Sequence, residues 1–214
     1  MSYLSFSRKL SSSLASAHHL DEEQQAVLAY AIEVITLNSV NTLLTLTLGW
    51  ILDVFWPTAI CLGAMTVLKY HGGGGHSESP WRCTLVTMLV FPLLALAAAR
   101  ASNWPLFYRD LISLIAVTAG SVSIIKYAPV DNDKAPIVSP ERRMKLKKRS
   151  LITIILLATV MAVLRFITLD ETGVINLCLS FSIFWFSFNL TPSGHRLWRF
   201  LDGLGQTEER RCSS

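Results

Sequence analysis

His76 and Cys83, seven positions apart, follow a run of four glycines, Gly72 to Gly75, and enclose the stretch Ser-Glu-Ser-Pro-Trp-Arg. The pair suits nucleophilic catalysis: an imidazole takes the thiol proton, the thiolate attacks a carbonyl, and the imidazolium protonates the leaving amine. Ser79-Pro80 reads as a helix start, with serine as N-cap and proline at the first helical position, where its missing N–H costs nothing. Cys83 then falls in the first turn of that helix or just past it. There the positive end of the helix dipole and the adjacent Arg82 both favour the thiolate. N–H groups at the helix start are placed to hold an oxyanion, and glycine lets a substrate backbone approach. Blander readings compete, because His-x6-Cys is a short pattern. A zinc site from His71, His76 and Cys83 would lack the close paired spacing of common zinc motifs. The glycine run lacks the Gly-Lys-Ser or Gly-Lys-Thr of a phosphate loop. The residues call for no metal and no cofactor.

The elements that must position this loop are apolar. Of 214 residues 51% are hydrophobic and 16% charged, too little polar surface to cover a soluble fold of this size. Long apolar stretches run over Ala26 to Gly49, Trp56 to Leu68, Cys83 to Ala99, Leu106 to Tyr127, Leu151 to Ile167 and Val174 to Leu190. They predict an all-α, polytopic membrane protein with about six transmembrane or re-entrant helices. The second stretch is the weakest: it is short, starts beside Pro57 and ends at Lys69, so it is either a tilted span or a re-entrant helix. Residues 1–25 predict an N-terminal amphipathic helix at the inner interface, from Leu4, Leu10 and Leu14 with Phe6 nearby. Residues 26–190 form the membrane domain and 191–214 a cytoplasmic tail.

Charge sets the orientation. With both termini inside, 16 of the 19 Lys and Arg residues fall in cytoplasmic segments, leaving only Arg100, Arg109 and Arg165 elsewhere. This satisfies the positive-inside rule and places the glycine loop at the cytoplasmic face of a multi-pass cell-membrane protein. The net charge of +4 is then explained by topology and by attraction to anionic membrane lipids, with no nucleic acid required. The basic run Arg142, Arg143, Lys145, Lys147, Lys148 and Arg149 fits that role. Docking of an acidic substrate segment on Lys145, Lys147 and Lys148 is a second reading.

Cys61, Cys178 and Cys212 are single and far apart, and the two that lie in apolar stretches read as small core residues. The sequon Asn189-Leu190-Thr191 sits at the inner end of the last stretch with Pro192 after it, which discounts it. Glu33 is an ionisable group inside an apolar span, costly unless paired or functional; Arg109, Arg165 and Lys69 are its candidate partners. As a third member orienting His76, Glu33 and Glu78 are both candidates. A small transporter would also fit six spans, with Glu33 and Arg165 on its path. A non-catalytic scaffold would leave the glycine loop unexplained.

The loop also resembles the accessory gene regulator B (AgrB) family of membrane cysteine endopeptidases. The family pattern is a basic residue, three positions, Gly-Gly, one residue, His, then Cys seven further on; Lys69, Gly73, Gly74, His76, Arg82 and Cys83 follow it. Tyr-Ala-Pro-Val-Asp at 127 to 131, with Lys134, Pro136 and a lysine-rich run, agrees as well, and Glu33 matches a recurring acidic position. The similarity covers roughly residues 20 to 190. Ser77 and Glu78 depart from the family's usual alanine and basic residue, which touches substrate detail more than chemistry. The resemblance implies catalysis by His76 and Cys83 on an AgrD-like precursor peptide. Cleavage would leave an acyl-enzyme thioester, and ring closure would release a thiolactone or lactone used in quorum sensing. It also implies a homodimer.

Overall fold

The computed structural model describes residues 12–13, 21–74, 79–130, 139–167 and 171–212, with backbone alone for 204–212. Those residues are mostly helical, with no strand among them. In chain order the helices are α1 (Glu22–Ile51), α2 (Phe55–Gly72), α3 (Pro80–Ala101), α4 (Leu106–Tyr127), α5 (Pro140–Phe166), α6 (Thr172–Leu190) and α7 (Pro192–Cys212). Five of them, α1, α3, α4, α5 and α6, are long and apolar enough to cross a membrane. The chain is thus an all-α polytopic membrane protein. Helix α2 is not among the five, in keeping with the weakness of its apolar stretch. The amphipathic helix expected for residues 1–25 lies almost wholly outside the described residues.

The chain divides into two compact units, residues 1–44 and 45–214. The first holds most of α1. Its start is a reciprocal capping box: Asp21 Oδ1 accepts from the Gln24 N–H at 2.7 Å, and Gln24 Oε1 accepts from the Asp21 N–H at 3.3 Å. Val27, Tyr30, Ile35 and Leu43 are exposed, as a helix facing lipid requires, whereas Glu33 is only 5% exposed.

In the second unit, α6 is the central helix and packs against α2, α3, α4, α5 and α7. Leu177, Ile183, Phe186 and Leu190 on α6 are all essentially buried. Small residues let neighbours in. A Cβ on Gly120 would stand 2.6 Å from Ile154 and 2.7 Å from Ile183, and one on Gly72 would stand 2.5 Å from the Phe186 ring. Cys61 and Cys178 are buried in this core as thiols, bound by Ser182, whose hydroxyl lies 3.3 Å and 2.8 Å from their carbonyls.

The start of α5 differs from the sequence reading, and the tail holds a helix that the reading did not specify. Helix α5 starts at Pro140, so the basic run Arg142 to Arg149 forms its first turns instead of a loop. The segment after Leu190 continues as helix α7. Both helices begin on a hydroxyl residue followed by proline. Ser139 Oγ accepts from the Arg142 N–H at 3.5 Å, and Thr191 Oγ1 accepts from the Gly194 N–H at 3.2 Å.

Candidate functional site

The glycine loop is anchored at its entry. Helix α2 ends at Gly72, and the Gly73 N–H closes the last turn on the Lys69 carbonyl at 3.0 Å. Gly73 and Gly74 adopt φ of +69° and +136°, which side chains other than glycine rarely accept. A Cβ on Gly73 would also lie 2.8 Å from the Val130 carbonyl oxygen. The Val130 N–H in turn donates to the Gly72 carbonyl at 3.2 Å. The two stretches that carry the family resemblance are therefore in contact: Tyr127 to Val130 forms the wall against which the glycines turn. On the other side of Gly74 lies Asn189, whose Cβ is 3.8 Å from the place a Cβ would take.

Cys83 stands at the opposite end of the loop. Ser79 is the N-cap of α3 and Pro80 its first helical residue, as the Ser-Pro pair predicts. The Cys83 N–H makes the first helical bond, to the Ser79 carbonyl at 3.2 Å. Its own amide is thus used, and of the helical residues before it Trp81 and Arg82 carry an N–H without an intrahelical partner. Cys83 is half-buried and is a thiol. No acidic residue lies in the first turn of α3.

Lys69 closes the site from α2. Burial pushes its ammonium below the ordinary lysine range, and the nearby negative charge of a Cys83 thiolate pushes it back up. The basic residue and the cysteine of the pattern are therefore electrostatic neighbours. Arg82 turns away from Cys83, since successive helical residues do not share a face. Its Nη1 donates to the Asp202 carbonyl at 2.6 Å and lies 3.4 Å from Asp202 Oδ1, in a half-buried ion pair. Helix α7 is thereby fastened to the start of α3. It is fastened to the end of α6 as well, where buried Trp198 Nε1 donates to Asn189 Oδ1 at 2.8 Å. Sequence reasoning missed Asp202, Trp198 and Asn189. Asn189 was weighed only as a sequon, and its complete burial agrees with discounting it.

His76 and Glu78 lie outside the described residues. His71, two positions after Lys69, faces the other way, with Nδ1 3.4 Å from the Thr153 hydroxyl on α5. The lysines expected to act together have different surroundings. Lys147 Nζ reaches back to the Ile125 carbonyl at 2.5 Å. Lys145 lines a cavity of about 370 Å³ with Tyr70, His71, Arg142, Leu146 and Arg149. Lys148 is exposed. Arg165 Nε binds Asp110 Oδ1 and Oδ2 at 3.0 and 3.1 Å, and Arg109 Nη1 donates to the Ser102 carbonyl at 3.1 Å.

The model of the family described as accessory gene regulator B matches residues 7–190. The chain belongs to the accessory gene regulator B family. An AgrB-like protein of Clostridium perfringens strain SM101 is 22% identical over 204 residues, covering 92% of this chain and 95% of its own. An AgrB-like protein of Clostridium acetobutylicum is 26% identical over 172 residues, 79% of this chain and 76% of its own. Accessory gene regulator protein B of Staphylococcus aureus strain Newman is 27% identical over 135 residues, 63% and 68% of the two chains. No solved structure matches the chain.

Proposed function

We infer that this family member is a membrane-embedded cysteine endopeptidase that matures a signalling peptide. In this reading the Cys83 thiolate attacks the scissile carbonyl of an AgrD-like precursor, with His76 as general base and then general acid to the leaving amine. The Trp81 and Arg82 N–H groups hold the oxyanion. A nucleophile within the bound peptide then displaces the thioester, releasing a thiolactone or lactone and restoring the thiol. Tethering makes that attack effectively unimolecular, and a site at the membrane surface keeps bulk water from competing.

The observation that carries the reading is the surroundings of Cys83. The thiol stands at the start of α3, where no carboxylate occupies the first turn and Lys69 is an electrostatic neighbour. Lys69 is the cation on the substrate side, and Arg82 acts as a positioning residue through Asp202. The loop faces the cytoplasm, following the positive charges. Incubation of the purified protein with a cognate precursor is expected to give a covalent adduct on Cys83 by mass spectrometry. Cys83→Ala and His76→Ala are expected to abolish both adduct and cleavage; cleavage at the wild-type rate by Cys83→Ala would remove the peptidase reading.

A further inference from the structure

We propose that the cavity between the end of α2 and the start of α5 binds the headgroup of an anionic phospholipid from the inner leaflet. Its cations come from one face of α5, Arg142, Lys145 and Arg149, at helical positions i, i+3 and i+7. No carboxylate among the described residues lies within ion-pair distance of these three. Tyr70, 80% exposed, and His71 close the cavity from α2. Three convergent cations repel one another, and a bound phosphate relieves that repulsion.

A lipid is favoured over other anions by what lies above the cations. Their face of α5 continues as Ile152 and Leu156, three and seven residues beyond Arg149, and these are 45% and 60% exposed. One stripe therefore changes from cationic to exposed apolar where the apolar part of α5 begins. It spans about 21 Å over the fourteen helical steps from Arg142 to Leu156. A phosphate on the lower part and an acyl chain along the upper part would cover it, as basic pockets between helices on the cytoplasmic side do for anionic lipids. A peptide held at Cys83 is poorly placed to do so, because Lys69 lies beside the glycine turn at Gly74 whereas His71, two residues on, faces α5.

The test uses the purified full chain in detergent, with bound lipid read by native mass spectrometry. Dioleoylphosphatidylglycerol is expected to be retained at least about tenfold more tightly than dioleoylphosphatidylcholine. Each surface cation contributes roughly fivefold to attraction for anionic lipid, so Arg142→Gln/Lys145→Gln/Arg149→Gln should weaken retention on the order of a hundredfold. Removing three cations elsewhere, in Lys126→Gln/Lys148→Gln/Arg196→Gln, should change it less than about threefold. Equal retention of the two lipids by the wild-type protein overturns the proposal, and does so even if the triple variant fails to fold. Equal loss in both triple variants also overturns it, as a diffuse charge effect. Glycerophosphoglycerol that competes as well as the whole lipid would make this a free-phosphate site, and displacement of the lipid by hexaglutamate a peptide site; either result sinks the lipid assignment.

Discussion

Helices α3 and α5 both begin Ser-Pro-x-Arg, as Ser79-Pro80-Trp81-Arg82 and Ser139-Pro140-Glu141-Arg142. Each places arginine at the third helical position, where a cation opposes the helix dipole. Helix α5 answers within its own first turn: Glu141 supplies an anion, and Ser139 accepts the Arg142 N–H. Helix α3 has no acid in its first turn, and Arg82 is met from outside by Asp202 on α7. A start capped and charge-balanced within its own first turn needs no partner from another helix. A start completed by a distant helix keeps its positive end directed at Cys83, where the proposed thiolate and oxyanion would need it.

The most direct way to break this contrast is to give α3 the sequence of α5. Trp81→Glu creates Ser-Pro-Glu-Arg in place of a side chain that is 62% exposed, so folding should survive. A carboxylate beside the Trp81 and Arg82 N–H groups would oppose negative charge on the substrate oxygen. Loss of an oxyanion donor costs on the order of a hundredfold in kcat, and a loss of that size is expected in precursor cleavage, with a parallel loss of the Cys83 adduct. Turnover within about twofold of wild type would mean that the positive end of α3 is not used.

Removing the arginines sharpens the same comparison at smaller amplitude. Arg82→Gln gives up a hydrogen-bonded ion pair, and bonds to charged groups contribute about 1.5–3 kcal/mol, so about a tenfold fall in kcat is expected as the start of α3 loosens. KM should hardly move, because Arg82 faces α7 and not the cysteine. Arg142→Gln, at the equivalent position of α5, should leave kcat and KM within about twofold. Equal effects in kcat from the two substitutions would show that the shared sequence, and not the partner, decides the role.

How much of this was legible follows from where each signal lies along the chain. The apolar stretch Leu106 to Tyr127 coincides with α4, because length and hydropathy are local properties. Ser79-Pro80 marked α3 for the same reason. Helix α5 begins eleven residues before the apolar stretch that announced it, since its early turns are cationic and carry no apolar period. Yet Ser139-Pro140 and Thr191-Pro192 are the same signal that located α3, so the starts of α5 and α7 were readable by a rule already in use. The contact of Gly72 and Gly73 with Val130 and the pairing of Arg82 with Asp202 were not readable. The second joins residues 120 positions apart, and nothing in either local sequence names the partner. The family pattern marked both Gly73 and Arg82 without giving the reason: positive φ against a carbonyl wall for one, and a tether to α7 for the other.

The smallest predicted effect tests the other half of the comparison, the self-sufficiency of α5. Ser139→Ala removes the acceptor of the Arg142 N–H, a contact that is long at 3.5 Å. Loss of a serine cap typically costs about 1 kcal/mol, and at the exposed end of a long helix that cost should be felt as local fraying. Amide exchange at Glu141 to Arg143 should quicken by roughly fivefold, the equivalent of that energy, while exchange in the apolar part of α5 and precursor cleavage stay within about twofold. The two helix starts are independent: Glu141 still offsets the dipole, and no contact of Ser139 reaches Cys83. If Ser139→Ala instead lowered kcat as far as Arg82→Gln, the two starts would be energetically coupled, and the division between a self-contained helix start and a site-directed one would fail.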